Sequence, residues 1–199
     1  MGYYLRVLAL QDAIPSLSEL RACLVSGQEL RVESGEESDW SQLILAHKTG
    51  QEIALTERNP VIPGELGEEE LNEFIEDVKG EKPESAANWL LQFLPRVRAI
   101  YALQVLNGAD IDEGWDGVRS LQGCIWGKLG GILQADLEGF SNEDGYHILW
   151  QFVSDHDGPW KMAVIDSNGE WIAFEMNLGN PNHKDAFLRG RVPEGAKFI

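Results

Sequence analysis

Residues 160–177 read Trp160-Lys161-Met162-Ala163-Val164-Ile165-Asp166-Ser167-Asn168-Gly169-Glu170-Trp171-Ile172-Ala173-Phe174-Glu175-Met176-Asn177. Two runs of β-branched, aromatic and apolar side chains flank Asn168-Gly169, a dipeptide that favours a tight hairpin because both residues tolerate positive φ. A two-residue loop sets Asp166 opposite Trp171, Val164 opposite Ala173, Met162 opposite Glu175 and Trp160 opposite Asn177. That register predicts a core face of Ala163, Ile165, Ile172, Phe174 and Met176. The other face gathers Trp160, Trp171, Glu175 and Asn177, two indoles beside a carboxylate and an amide, which is the mixed chemistry of a binding surface.

Working back along the chain, 132–138 and 146–153 alternate like a second hairpin around the loop 139–145. The register that best pairs its apolar positions sets Leu137 against Ile148, Ala135 against Trp150 and Leu133 against Phe152. Glu138 then meets His147, with Asp136 one step along. A carboxylate beside an imidazole raises the imidazole's pKa and fixes its tautomer, so Asp136, Glu138 and His147 are the candidate catalytic residues; a solvated cross-strand ion pair has the same pattern. Working forward, Asn177-Leu178-Gly179-Asn180-Pro181-Asn182-His183 reads as a polar loop.

The remaining elements follow the same rules. Tyr3 to Leu10 is a strand, and Ser16-Leu17-Ser18-Glu19 has the Ser-x-x-Glu spacing of a capping box opening a helix. Leu30 to Glu33 is a short strand, and 42–48 with 51–57 a hairpin. Helices follow at 68–79, with Leu71, Phe74, Ile75 and Val78 on one face, and at 83–94. Val97 to Leu106 is a strand. Asp112 to Leu129 is a helix capped by Asp112, and its Gly114, Gly117, Gly123 and Gly127 predict a backbone lying close against a sheet. The predicted fold class is therefore α+β, rich in antiparallel sheet. Residues 1–60 form a βαβββ half, 61–95 a helical connector and 96–199 a βαββββ half, together one compact unit. This order of a repeated strand, helix and meander is similar to the duplicated, saddle-shaped TATA-binding fold. The similarity lies in topology, covers no motif and implies no DNA binding.

Charge bears on partners. The 199 residues carry a net charge of −17, with 17 acidic against 7 basic residues in 1–82 and 16 against 9 in 83–199. Such a chain repels phosphate, which argues against nucleic acids and anionic membranes and fits a solvated surface or a basic partner. No apolar run approaches the ~20 residues of a membrane span. The start, Met1 to Leu10, lacks a basic lead-in and a small-residue cleavage site, and Arg6 stands where a myristoylation signal wants Ser or Thr, so it reads as a strand. Cys23 and Cys124 fall on apolar helix stripes and are expected as buried free thiols in a reducing cytoplasm.

The acids Asp110, Asp112, Glu113 and Asp116 lack the alternating oxygens of a calcium loop, and Asp155-His156-Asp157-Gly158-Pro159 reads as a turn. Phosphate-loop, nucleophile-elbow, Cys-x-x-Cys and zinc-helix motifs are not found, and four histidines leave little scope for a zinc centre; neither metal nor cofactor is expected. The expected function is a cytoplasmic, acidic, non-catalytic module that binds a protein or small ligand through Trp160, Trp171, Glu175 and Asn177, with an inhibitor or immunity protein as a special case. The alternative is a small hydrolase centred on Asp136, Glu138 and His147.

Overall fold

Short apolar runs in the first third of the chain build adjacent antiparallel strands, and the computed structural model shows how they assemble. It describes residues 2–111, 113–152 and 156–199. The elements are β1 (Tyr3–Ala9), α1 (Leu17–Ala22), β2 (Gln28–Glu36), β3 (Asp39–His47), β4 (Glu52–Pro60), α2 (Leu66–Asp77), α3 (Glu84–Phe93), β5 (Ala99–Val105), α4 (Gly114–Leu129), β6 (Ile132–Ala135), β7 (Gly139–Ser141), β8 (Pro159–Ile165), β9 (Trp171–Asn177), α5 (Pro181–Leu188) and β10 (Lys197–Phe198). Strands lie in a seven-stranded and a three-stranded antiparallel sheet, so the fold is α+β as the sequence predicts. Among the described residues no helix is long and apolar enough to cross a membrane.

By its internal contacts the chain divides into two units, Met1–Glu70 with Val97–Asp136, and Leu71–Arg96 with Leu137–Ile199. In the first unit six strands run in the order β2-β3-β4-β5-β1-β6, so β1 pairs with β5 on one side and β6 on the other. β2 is the border strand, and its pairing with β3 shifts register between Val32 and Ser34 and between Ser34 and Gly35. One sheet face, with Val7, Leu43, Leu45, Tyr101 and Leu103, packs with Leu17 and Leu20 of α1 and with Val118, Leu121, Ile125 and Leu129 of α4. Those four α4 residues are at most 3% exposed. Burying each contributes about 1.5–3 kcal/mol, which holds the helix to the sheet despite its glycines.

The predicted close approach to the sheet holds for one of those glycines, Gly117 against Gln28 of β2, while Gly114 lies against a 3-10 turn. A Cβ on Gly114 would stand 2.5 Å from the Gly108 carbonyl oxygen, and one on Gly117 would stand 2.3 Å from Gln28 Oε1, whereas Gly123 and Gly127 meet nothing within 4 Å. The predicted cap, Asp112, lies outside the described residues; Glu113 precedes the helix at φ 58° without a side-chain capping bond. Gly131, at φ +103°, turns the chain into β6 where a Cβ would stand 2.0 Å from the Leu8 carbonyl oxygen. The Ser16–Glu19 capping box forms as expected. The two cysteines do not remain free thiols. Cys23 and Cys124 form a disulfide with their Cα atoms 6.2 Å apart, because α1 and α4 pack into one core and bring half-buried Cys23, the C-cap of α1, beside half-buried Cys124 of α4. The pairing removes the thiol argument for a reducing compartment.

In the second unit β9 lies between β8 and β10. Met162, Val164, Phe174, Met176, Leu178 and Phe187 form its core with Phe152, and half-buried Trp150 and Trp160 pack against them. The predicted polar loop after β9 closes at Asn180, whose side chain accepts from Asn182 N at 3.0 Å and caps α5, with Pro181 in its first turn. The predicted strand 146–153 does not form over its described residues. His147 makes only isolated bridges to Ser141 and Met162, and Trp150 N donates to the Lys82 carbonyl at 3.0 Å; Val153 lies outside the described residues.

Candidate functional site

The β8–β9 hairpin has a different register from the predicted one. Ile165 faces Trp171, Val164 faces Ile172, Met162 faces Phe174, Lys161 faces Glu175, Trp160 faces Met176 and Pro159 faces Asn177. The cause is a three-residue loop. Asp166 N donates to the Glu170 carbonyl at 2.9 Å, Gly169 sits at φ +86°, and the Asp166 carboxylate accepts from Asn168 N at 2.8 Å and Glu170 N at 2.9 Å. One extra residue turns every β9 side chain to the other face relative to β8. The backbone donors of Glu170 and then Asn168 hold the Asp166 carboxyl below its ordinary pKa.

The expected binding residues are thereby separated. Trp160 joins the Met162–Phe174–Met176 side, with its ring 5.3 Å from Phe152 and 5.9 Å from His147. Trp171 lies on the opposite face, edge-on to Trp89 of α3 at 5.2 Å. Glu175 shares that face and pairs in register with Lys161 and Lys197. Asn177 accepts through Oδ1 from Gly158 N at 3.2 Å and Gly179 N at 2.8 Å, which closes the turns at the end of β9.

The expected carboxylate–imidazole cluster is also reassigned. Asp136, in the first unit, accepts from Arg6 at 2.6 Å and from Tyr4 N at 3.0 Å, while the same Arg6 guanidinium donates to Gln134 and Glu70. In the second unit His147 is 5% exposed, and its Nε2 lies 2.9 Å from the Glu138 backbone carbonyl rather than the carboxylate. A carbonyl only accepts, so Nε2 carries the proton and Nδ1 accepts from the Ser141 hydroxyl at 3.2 Å. The ring stacks on Phe152 at 4.8 Å. Burial in this aromatic setting pushes the imidazole pKa down to about 4, so the ring is neutral near pH 7. A serine hydroxyl bonded to a neutral histidine is a nucleophile–base pair by chemistry, here 9% and 5% exposed. Among the described residues no group of three or more His, Cys, Asp or Glu could hold a metal ion.

An open cavity of about 640 Å³ lies in the first unit, at the end of the sheet where β1 begins, β4 begins and β5 ends. Antiparallel pairing creates it: Tyr3 is in register with Val105, and Val105 with Ala54. A 3-10 turn, Asn107–Asp110, closes one wall. Leu106 N donates to the Ile53 carbonyl at 2.9 Å and His47 Nε2 to the Gly108 carbonyl at 3.2 Å, fixing that turn on the sheet. Gly108 permits the fit, since a Cβ there would stand 2.3 Å from the Glu52 carbonyl oxygen. Tyr3 and Val105 give the cavity apolar surface, with Tyr3 edge-on to Trp115 at 6.1 Å. Gln51, Gln104 and Asn107 complete its lining, and Glu52 forms an ion pair with Arg31.

The sequence reading missed this site because its residues come from segments up to a hundred positions apart that only strand pairing joins. One signal was present: Gln104 interrupts an otherwise apolar strand, Ala99-Ile100-Tyr101-Ala102-Leu103-Gln104-Val105. No family model, curated protein or solved structure matches the chain.

Proposed function

We propose that this chain is a non-catalytic binding protein and that the cavity at the end of the large sheet takes a small polar ligand. The observation that carries the reading is the cavity itself. Its 640 Å³ lies within the ~300–1,000 Å³ range of small-molecule sites, and its walls are strand ends and a pinned turn, which need little reordering on binding. The net charge of −17 supports a ligand that is not a polyanion. The test is thermal unfolding of the intact chain against a panel of sugars, amino acids, polyamines and nucleotides. A ligand at a hundred times its Kd stabilises by about 2.7 kcal/mol, and a flat panel counts against the reading.

A second reading, a small hydrolase, is favoured by the Ser141–His147 hydrogen bond. It expects covalent labelling by a fluorophosphonate that disappears in Ser141→Ala, and an unlabelled native protein removes it.

A further inference from the structure

The geometry points to Asn168 as a site of covalent modification: its side-chain amide condenses with the Gly169 backbone nitrogen and hydrolyses to an aspartyl or isoaspartyl residue, while the other Asn-Gly pair, Asn107-Gly108, stays intact. The Gly169 N–H gives its proton to hydroxide, and the nitrogen attacks Asn168 Cγ. The Cγ–Nδ2 bond breaks, ammonia leaves with the returned proton, and a cyclic succinimide remains. Water then adds to either carbonyl of the ring and opens it. A following glycine favours the attack because no Cβ crowds the approaching nitrogen.

In both pairs the Asn–Gly peptide must rotate before the nitrogen reaches Cγ, and the folded chain leaves that freedom to Asn168. Ser167, Asn168, Gly169 and Glu170 are all exposed at the tip of the β8–β9 hairpin, and a Cβ on Gly169 would meet nothing within 4 Å. Ring closure there breaks two hydrogen bonds, Gly169 N to the Asp166 carbonyl and Asn168 Nδ2 to the Asp166 carboxylate, both at 3.2 Å. Each is at the long end of its range and open to water, which replaces it at small cost. Asn107 is also exposed, but Gly108 is buried in the 3-10 turn with its Cβ position 2.3 Å from the Glu52 carbonyl oxygen. Its own carbonyl accepts from His47 Nε2 at 3.2 Å, and Ala109 N donates to the Leu106 carbonyl at 2.9 Å. Rotating that peptide would undo the fit of the turn on the sheet.

The product differs from the amide in charge and in length. Hydrolysis replaces the Nδ2 donor with a second carboxylate oxygen facing Asp166, whose own carboxyl the backbone donors of Glu170 and Asn168 hold ionised. An isoaspartyl product also adds a methylene to the main chain in the loop that sets the register of β8 and β9. Modification therefore loosens the hairpin.

Incubation of the intact chain in mildly alkaline buffer, followed by trypsin and tandem mass spectrometry, tests the assignment. Cleavage after Arg98, Arg119, Lys161 and Lys184 puts the two Asn-Gly pairs in separate peptides, 99–119 and 162–184. The expected result is conversion at Asn168 tenfold or more faster than at Asn107 in the native chain, with the two rates converging in guanidinium chloride, where the fold no longer protects Gly108. Equal native rates, or a faster Asn107, overturn the inference. A difference that persists undiminished in guanidinium chloride also overturns it, because the selectivity would then come from neighbouring sequence and not from the fold. Asn168→Asp reads the consequence: its melting temperature should fall below that of the native chain near neutral pH and recover in acid, where the carboxyls are protonated. An unchanged melting temperature overturns the loosening of the hairpin.

Discussion

Two histidines in this chain make the same bond in opposite settings. His47 and His147 each donate Nε2–H to a backbone carbonyl, of Gly108 at 3.2 Å and of Glu138 at 2.9 Å. His47 pins a turn at the wall of an open cavity. His147 is sealed among Phe152, Trp160 and Ser141, its second nitrogen is also occupied, and its charged form is suppressed. An identical hydrogen bond positions a surface loop in one unit and fills a core in the other, so the surroundings decide what the bond does.

The largest effect is expected from His147→Ala. It removes a buried ring and leaves the Glu138 carbonyl and the Ser141 hydroxyl without their partner, so chemical denaturation should show a loss of about 4 kcal/mol. A loss below 1 kcal/mol would place His147 outside the core. Next is reduction of the Cys23–Cys124 bridge, which belongs to the first unit. Its 101-residue separation sets an entropic ceiling of about 4.7 kcal/mol, and a loss of about 3 to 4 kcal/mol, within the usual range for a native bridge, is expected as a lower urea midpoint in the presence of dithiothreitol.

Acid should act on His147. Because the folded pKa of His147 is depressed to about 4 from 6.5, the unfolded chain binds the proton first. Its contribution is fully present above pH 6.5 and is lost as pH falls towards 4, by about 3 kcal/mol in all. His147→Gln should flatten stability over that window, and an unchanged slope would show that the ring is not held neutral. Trp171→Ala should cost about 2 kcal/mol, less than the ~3–5 typical of a fully buried aromatic, because the indole is half-buried and its described ring partner is Trp89. A loss in the larger range would make it core. The smallest change is expected for His47→Ala, about 1 kcal/mol or less in stability, with its main effect a weaker response to any cavity ligand.

What the sequence revealed differs between the units for a physical reason. Tyr3–Ala9 and the paired strands Asp39–His47 and Glu52–Pro60 were readable because each carries a short apolar run, and Val7–Ala9, Leu43–Ala46 and Ile53–Ala54 are buried on both faces. The Ser16–Glu19 cap was readable because it is local. In the second unit the hairpin was located correctly and its register was not, since the choice between a two- and a three-residue loop at Asn168-Gly169 turns on the Asp166 carboxylate accepting from Asn168 and Glu170. His147 was singled out for its proximity to Glu138, and that proximity is real, but a backbone oxygen provides it. The disulfide and the cavity depended on which distant elements meet, and periodicity within a segment carries no such information.

The border strand β2 affects how copies of this chain meet in concentrated solution. A sheet edge offers unpaired backbone groups onto which a strand from another molecule can zip, the first step of many aggregates. Here Glu29, Glu33 and Glu36 are exposed along that edge, and the two register shifts near Ser34 spoil its straightness. A second copy approaching in either direction would meet like charge and a mismatched ladder. The border therefore works as a guard against fibre growth, built from side chains and bulges that contribute nothing to the core.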